Sequence, residues 1–199
     1  MPGQYFRNVT FKGAYPDIDK CPSSAAIPLV AFTGRSNSGK SSLLSALCDH
    51  KNLAKTSSTA GKTRTLNYFL VPPGEIKGPG LYLVDMPGFG FANVTKEEAT
   101  ALRTMADRFF LEAENIKLII VVSDARRDAG QEEMNLLKFA KSENIPIVFA
   151  RTKWDTMNAK EKSAAKRSWK ELGIESECLP VSSPKKIGLD ELIDLIRSL

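Results

Sequence analysis

Histidine, cysteine and long hydrophobic runs are scarce in this sequence, and each scarcity excludes a class of protein. His50 is the only histidine among 199 residues, so we expect neither a histidine-based metal centre nor a histidine-dependent catalytic triad. The three cysteines, Cys21, Cys48 and Cys178, lie far apart without metal-ligand spacing, which is typical of reduced thiols in a cytosolic protein. No apolar stretch approaches the roughly 18 residues that cross a membrane, and the first residues have no hydrophobic signal region. We therefore expect a cytoplasmic protein without a membrane span.

Positive charge exceeds negative charge only slightly, with a formal net charge of +5, but it is unevenly distributed. Residues 51–74 contain four basic side chains and no acidic one. A second basic cluster in residues 151–170 includes only the acids Asp155 and Glu161, and its basic members are Arg151, Lys153, Lys160, Lys162, Lys166, Arg167 and Lys170. Such runs are typical of solvated surfaces and also of proteins that contact a polyanion such as RNA. Composition alone does not decide between these two interpretations.

A phosphate-binding motif lies between a β-prone apolar run at 28–33 and a helical segment at 42–47. Residues 34–41 have the pattern G-x-x-x-x-G-K-S, in the strand–loop–helix order that this motif requires. Glycines permit close approach of the backbone, and N–H groups at a helix start bind phosphate oxygens. Lys40 is expected to contact the β- and γ-phosphates, and the Ser41 hydroxyl to bind Mg²⁺. The predicted nucleotide contacts here are Gly34, Arg35, Ser36, Asn37, Ser38, Gly39, Lys40 and Ser41.

Apolar runs alternate with helical patterns along the rest of the chain. Further strands are predicted at 67–71, 81–84, 117–123, 145–150 and 177–181, and helices at 96–112, 130–142, 158–171 and 189–199. The strands at 67–71 and 81–84 flank a Pro/Gly-rich turn and are expected to form a hairpin. This alternation predicts a three-layer α/β fold, with a mostly parallel six-stranded sheet and helices on both faces. We expect the domain to span 28–199, with 1–27 as an N-terminal extension packed on it.

The sequence D-M-P-G at 85–88 directly follows the predicted strand at 81–84. Ligands of such folds bind at the carboxyl ends of strands. A carboxylate at Asp85 is expected to hold Mg²⁺ directly or through water, facing Ser41, and the N–H of Gly88 to meet a γ-phosphate. The predicted contacts are Asp85, Met86, Pro87 and Gly88.

The sequence T-K-W-D at 152–155 follows the strand that ends at Ala150. An aspartate there accepts hydrogen bonds from the ring N1–H and the N2 amine of guanine, and adenine lacks both donors. The stem of Lys153 is expected to lie along the base, and the backbone after the last strand to donate to the guanine O6. The predicted contacts are Thr152, Lys153, Trp154, Asp155, Val181, Ser182 and Ser183.

A polar, basic segment at 57–65 lies between the first helix and the second strand. A loop of roughly 15 residues without structure of its own is unusual and tends to be functional. A threonine in it is expected to give its hydroxyl to Mg²⁺ and its N–H to the γ-phosphate, and both Thr63 and Thr65 are candidates. The predicted contacts in this segment are Gly61, Lys62, Thr63, Arg64 and Thr65.

Together these motifs resemble the EngB family of bacterial GTPases, which are small, Ras-like P-loop GTPases of the translation-factor class. The likeness covers about residues 6–199 and rests on 34–42, 61–63, 67–69, 85–90, 124–126 and 152–155. It implies GTP hydrolysis, Mg²⁺ bound by Ser41 and Thr63 with a metal-bound water on Asp85, and a K⁺ ion beside Asn37. It also implies a role in assembly of the large ribosomal subunit, contact with ribosomal RNA and a link to division septum formation.

Three positions depart from the family pattern. Ala60 replaces proline, Phe89 replaces tyrosine, and Ser38 replaces a small apolar residue. Phe89 also stands where many GTPases carry a water-orienting glutamine, and a phenyl ring cannot polarise water. We therefore expect slow hydrolysis, with Lys40, Thr63 and Gly88 as the catalytic groups and faster turnover when a partner or a monovalent cation assists.

Two other functions fit parts of the pattern. A protein that holds GTP without hydrolysing it is compatible with Phe89, whereas a P-loop kinase has no use for the motif at 152–155. We also consider Arg35 and Arg64 as groups that act on the phosphates in cis. Segments 55–66 and 87–96 are expected to be ordered with GTP and mobile with GDP, as in a switch. A monomer is expected.

Overall fold

The computed structural model describes residues 5–48, 64–90 and 95–199. Its strands are β1 Thr10–Tyr15, β2 Leu29–Gly34, β3 Leu66–Val71, β4 Leu81–Asp85, β5 Ile116–Asp124, β6 Ile147–Thr152 and β7 Cys178–Pro180. Its helices are α1 Lys40–Leu47, α2 Lys96–Glu112, α3 Gln131–Ser142, α4 Ala159–Glu171 and α5 Leu189–Arg197, with 3₁₀ turns at Ile18–Lys20, Trp154–Thr156 and Glu175–Glu177. All predicted helices and strands are therefore present.

The strands form one sheet in the order β1-β3-β4-β2-β5-β6-β7. The pairs β4–β2, β2–β5, β5–β6 and β6–β7 are parallel, whereas β3 is antiparallel to β4 and β1 is antiparallel to β3. The predicted hairpin of β3 and β4 is confirmed. The predicted count of six strands is wrong for the described residues, because β1 adds a seventh at the edge next to β3.

The sheet is covered on both faces, as the apolar strands predict. On one face β2 and β4 pack against α1 and α5, with Phe32, Leu44 and Ile193 among the buried residues. On the other face β5 and β6 pack against α3 and α4, and β3 and β4 pack against α2, which buries Phe109. All six residues of β2 are buried, which fits a central parallel strand. The three-layer α/β fold is confirmed.

The described part of the N-terminal segment is joined to the rest of the domain. Phe6 is fully buried in the cluster that contains α1 and α5, and its N–H donates to the Leu47 carbonyl at 3.0 Å. On the other side of the molecule Arg108 of α2 binds Asp17 at 2.6 Å and Asp19 at 3.1 Å. We retain residue 27 as a proposed boundary between this segment and the rest of the domain.

All three cysteines are free thiols. Burial raises the pKa of Cys48 and the pKa of Cys178 to about 12, so neither forms a reactive thiolate near neutral pH. Among the described residues there is no helix whose length and apolar content would let it cross a membrane.

Candidate nucleotide-binding site

The phosphate loop at 34–41 leaves the end of β2 and enters α1 in a conformation that requires glycine. A Cβ on Gly34, where φ is 149°, would come within 2.0 Å of the Val122 carbonyl oxygen. Gly39 caps α1 with φ 95°, and Asn37 also lies in the left-handed region with φ 63°. The first bond of the helix runs from the Leu43 N–H to the Gly39 carbonyl, so the N–H groups ahead of Leu43 lack helical acceptors. This is the geometry of an anion-binding helix start.

The D-M-P-G segment lies directly against the phosphate loop. The Phe89 N–H donates to the Gly34 carbonyl at 3.0 Å, and the Ser36 N–H donates to the Phe89 carbonyl at 3.0 Å. A Cβ on Gly88 would lie 2.7 Å from the Gly34 carbonyl oxygen, so the close approach excludes any larger residue. Met86 is buried and extends the pairing of β4 with β2, and Pro87 is buried beside it. The sequence predicted both loops, and the structure shows that they form one unit.

Lys40 and Asp85 form a buried ion pair. The Lys40 Nζ donates to the Asp85 carboxylate, and the two residues are only 8% and 1% exposed. The sequence assigned the lysine to phosphates and the carboxylate to a metal-bound water, and the structure brings the two groups together. A buried charge requires such compensation, because leaving either group unpaired is costly. Ser41, the predicted metal ligand, is exposed one residue further along α1.

The T-K-W-D loop is fastened to the phosphate loop by two side chains. The Thr152 hydroxyl lies within hydrogen-bond distance of the Ser38 carbonyl, and 3.1 Å from the Ser123 carbonyl. The Lys153 Nζ donates to the Asn37 carbonyl at 3.0 Å, from a backbone with φ 59°. The T-K-W-D loop, which is the predicted base loop, and the phosphate loop are therefore held in a fixed position relative to each other.

Asp124 at the end of β5 positions Lys153 and was missed as a site residue. Its carboxylate lies 3.0 Å from the Lys153 Nζ and accepts hydrogen bonds from the Arg126 side chain at 2.6 Å and 2.9 Å. Arg126 first, and Lys153 after it, hold the pKa of Asp124 well below its ordinary value. Its place after an apolar strand, like that of Asp85, is the signal that would have identified it.

Asp155 and its neighbour Trp154 have different roles. Asp155 is half-buried, and its carboxylate has no hydrogen bond or ion pair with another described residue. The Trp154 ring is buried, with its centroid 5.6 Å from that of Trp169. The indole of Trp154 therefore anchors the loop to α4, while the Asp155 carboxylate remains available to a ligand.

The backbone after β7 offers fewer donors than the sequence predicted. The Val181 N–H donates to the Arg151 carbonyl at 2.8 Å, and the Ser182 N–H donates to the Ile187 carbonyl at 3.0 Å. Of the three predicted N–H groups, only that of Ser183 has no acceptor among the described residues. Two of the three N–H groups therefore hold this segment to its neighbours, and the Ser183 N–H is the one left for a ligand.

The loop before β3 is described only in part. Gly61, Lys62 and Thr63 lie outside the described residues, as do the parts of the predicted switch segments at 55–63 and 91–94. Arg64 pairs with Glu98 of α2 at 2.9 Å, and the Thr65 hydroxyl donates to Asn67 Oδ1 at 3.0 Å. Thr65 is thus engaged with β3.

The side chains of Phe89 and Arg35 contact parts of the protein outside the phosphate loop. The Phe89 ring packs against the apolar cluster that contains Leu137 and Phe149. The Arg35 guanidinium lies beside Gly90 and Gly130. Ser38 is the second departure from the family pattern among the described residues, since Ala60 lies outside them, and its hydroxyl is buried without a hydrogen-bond partner.

Comparison with known proteins identifies relatives over most of the chain. A family described as 50S ribosome-binding GTPase matches residues 29–153. The probable GTP-binding protein EngB of Desulfovibrio desulfuricans is 38% identical over 163 residues, which cover 82% of this chain and 78% of the relative. The protein of the same description from Chlorobaculum parvum is 35% identical over 182 residues, covering 91% of each chain.

Solved structures share the fold. A crystal structure of Era in complex with MgGDPNP and nucleotides 1506–1542 of 16S ribosomal RNA has a TM-score of 0.65 at 23% identity, and covers 87% of this chain but 56% of that one. A crystal structure of a probable GTP-binding protein engB has a TM-score of 0.61 at 20% identity, over 84% of this chain and 96% of that one. The joined phosphate, D-M-P-G and T-K-W-D loops, the matched family and the identity to its relatives show that this chain belongs to the EngB family of GTP-binding proteins.

Proposed function

We propose that this protein binds GTP with Mg²⁺, hydrolyses it slowly, and acts as a cytoplasmic nucleotide switch in assembly of the large ribosomal subunit. The observation that carries the proposal is the attachment of two loops to the phosphate loop. Phe89 joins it to the D-M-P-G segment by two backbone hydrogen bonds, and Lys153 joins it to the base loop at 3.0 Å. A nucleotide requires its base and phosphate sites in such a fixed relation.

Recognition of guanine is assigned to the Asp155 carboxylate. It has no partner among the described residues, so it is free to accept from the N1–H and N2 amine of guanine. Adenine would leave this carboxylate unpaired against the base, which is how a polar site rejects a ligand. We assign the guanine O6 to the Ser183 N–H, the donor of this segment that the protein does not use.

The phosphates are assigned to the start of α1 and to Lys40. In that complex Lys40 turns from Asp85 to the β- and γ-phosphates, and the N–H groups of the helix start bind their oxygens. The Gly88 N–H, held close to Gly34, meets the γ-phosphate. Each of these groups stabilises the charge of the phosphate chain as water attacks.

The residues around Asp85 fit a magnesium ion that is shared with the phosphates. No group of three or more metal-ligating His, Cys, Asp or Glu side chains occurs in the described residues. Mg²⁺ bound to a nucleotide needs only one or two protein oxygens besides phosphates and water, and Ser41 and Asp85 offer these at the helix start. Thr63 is the proposed second hydroxyl. An Mg²⁺ held by these residues would neutralise part of the charge of the phosphates.

Slow hydrolysis is inferred from Phe89 and the two arginines. The Phe89 ring packs in an apolar cluster and carries no group that orients water. Arg64 is paired with Glu98, and Arg35 lies against the backbone of Gly90. A partner that supplies a charged group can raise such a rate by about 10³–10⁵-fold. We propose K⁺ beside Asn37 as a second source of acceleration.

Contact with ribosomal RNA is assigned to an exposed basic surface on α4. We define this surface by Lys160, Lys166, Arg167 and Lys170, which are all exposed. The buried Trp169 faces the other side of the helix, toward the sheet. Clustered positive charge of this kind attracts nucleic acid without reading sequence.

This basic surface is smaller than the cluster that the sequence indicated. Arg151 is 1% exposed, with its guanidinium 5.3 Å from the Trp169 ring centroid and 2.9 Å from the Ser123 hydroxyl. Lys153 is bound to Asp124 and to the phosphate loop. Lys162 is half-buried, with its Nζ 5.6 Å from the Trp154 ring centroid. Three of the seven basic residues therefore have contacts within the protein, and the other four form the proposed RNA surface.

The test of this function measures phosphate release from GTP in K⁺ and in Na⁺, with and without large-subunit precursor particles. We expect slow release alone and faster release with particles, and no turnover of ATP. The packing of Phe89 also favours a second candidate, a GTP-dependent binding module. That candidate predicts GTP-dependent sedimentation with the particles and no phosphate release under any of these conditions.

A further inference from the structure

Asn67 is a fully buried amide directly opposite Asp85. It is 0% exposed and lies on β3, where its Cα is the ladder partner of the Asp85 Cα on β4. Side chains of directly opposed residues lie on the same face of an antiparallel pair, within reach of one another. This is the face of the sheet on which Asp85 meets Lys40 of α1.

Only one end of the Asn67 amide has a partner. Oδ1 accepts a hydrogen bond from the Thr65 hydroxyl at 3.0 Å, whereas Nδ2 is buried without any partner. Turning the amide over would give Nδ2 to the Thr65 oxygen and leave Oδ1 without a partner instead. Buried polar groups in proteins are nearly always hydrogen-bonded, and one that is not calls for an explanation.

The Asp85 carboxylate, paired with Lys40 through one of its oxygens, is the acceptor opposite this amide on the neighbouring strand. While Lys40 is bound to Asp85, the carboxylate already has a strong donor and the Asn67 amide is unused. Under the proposed function, on which this inference rests, Lys40 turns to the phosphates. Asp85, which is 1% exposed, would then be a buried carboxylate in need of a donor.

We propose that Asn67 is a positioning residue for Asp85. Its Nδ2 donates to the Asp85 carboxylate when Lys40 moves to the phosphates, and thereby fixes the orientation of that carboxylate toward the metal-bound water. The Thr65 hydroxyl holds the amide in the required orientation by binding Oδ1. Thr65 directly precedes β3, so the residue that orients the amide lies close to it in the chain.

The experiment measures release of a fluorescent GDP analogue from the full chain across a Mg²⁺ titration and in EDTA. In the original chain we expect Mg²⁺ to slow release of the analogue. For Asn67→Leu, the Mg²⁺ concentration at which half of this slowing is reached should rise by about 10-fold or more, as for other residues that orient metal-bound groups. Release in EDTA stays within about twofold of the original chain. The unfolding temperature of Asn67→Leu without nucleotide should not be lower than that of the original chain, because leucine removes a buried unpaired amide. Thr65→Val gives a smaller shift of the same sign.

Phe69→Leu is the matched control. Phe69 lies two residues further along β3 and is buried on the same face of the sheet, among core residues. It should lower the unfolding temperature and leave the Mg²⁺ dependence unchanged.

Two outcomes would overturn the inference. An unchanged Mg²⁺ dependence in Asn67→Leu would show that the amide does not act on Asp85. Equal acceleration of release with and without Mg²⁺ would show a structural role only. If the original chain bound no GDP analogue, or showed no response to Mg²⁺, the proposed function itself would fail and this inference with it.

Discussion

At the scale of single residues, two equally buried serine hydroxyls are expected to affect the stability of the folded protein in opposite directions. Ser38 and Ser123 are each 3% exposed. The Ser38 hydroxyl has no partner, whereas the Ser123 hydroxyl accepts from the buried Arg151 guanidinium at 2.9 Å. Burying a hydroxyl costs free energy that only a hydrogen bond returns.

Ser38→Ala and Ser123→Ala should therefore have opposite effects on stability. We expect Ser38→Ala to leave the free energy of unfolding equal or raised by about 1 kcal/mol, and Ser123→Ala to lower it by about 1–3 kcal/mol, since the second leaves the buried Arg151 guanidinium with one acceptor fewer. Urea unfolding of the two variants measures both. Equal losses in the two variants would contradict this account of the Ser38 hydroxyl.

Under the proposed function Asp155 selects the base, so replacing Asp155 should change the base that the site accepts. Asp155→Asn replaces an acceptor by a donor amide, which suits the C2 carbonyl of xanthine and not the amine of guanine. We expect the preference for GTP over xanthosine triphosphate to fall by about 10⁴-fold, measured by competition against a fluorescent analogue. Asp128→Asn, which changes an exposed carboxylate bound to Ser168, is the control and should keep the preference. An unaltered preference in Asp155→Asn would reject the guanine assignment.

At the scale of elements, the ends of β5 and β6 are joined by a charged contact. Asp124 closes β5, and its carboxylate binds Arg126 of the following turn and Lys153 just beyond β6. Both cations favour the ionised form and so lower the pKa of Asp124 below 3.8, its ordinary value. A carboxyl group whose pKa is lower in the folded state adds stability above its ordinary pKa and loses that contribution as the pH falls.

Asp124→Asn should remove this pH-dependent contribution. We expect the original chain to be more stable than the variant at pH 6, and the difference to shrink as the pH falls below about 4, the ordinary pKa of an aspartate. Chemical unfolding of both proteins between pH 7 and pH 3 tests the expectation. A difference that stayed constant over this range would show that the carboxylate contributes through packing and not through its charge.

Local sequence predicted some elements far better than others. The bounds of α2, Lys96–Glu112, match the predicted 96–112, because a capping box of Thr95 and Glu98 marks its start and apolar residues recur at helical spacing. Most residues of strand β1 are exposed, and its pairing with β3 shifts register between Phe11 and Gly13. Its sequence shows no alternation of apolar and polar residues that would predict a strand. Its pairing with β3 depends on the neighbouring strand, which no local pattern reports.

At the scale of the whole molecule, none of the four basic residues that define the surface on α4 is among the proposed nucleotide contacts. Replacing Lys166 and Lys170 by glutamate should weaken sedimentation with large-subunit precursors in GTP, and should leave GTP affinity unchanged. The binding of the original chain should also fall steeply with salt, since phosphate contacts release counterions. Lys138→Glu on the exposed side of α3 is the control for a general charge effect. Undiminished sedimentation of the double variant would place the RNA contact elsewhere.

The sequence by itself determined the motifs, their order and the family, because phosphate and base chemistry requires particular residue types at fixed local spacing. It also determined the helices, whose periodicity and caps are local. Tertiary structure alone decided that Lys40 pairs with Asp85, and that Thr152 and Lys153 bind the phosphate loop. It also decided that the N–H groups of Val181 and Ser182 are already hydrogen-bonded within the protein. It also decided that Asn67 faces Asp85 with an unused donor. Most of these contacts join segments that are distant in the chain, such as Lys40 with Asp85 and Lys153 with Asn37, so their partners are fixed by the order of the strands and not by local pattern.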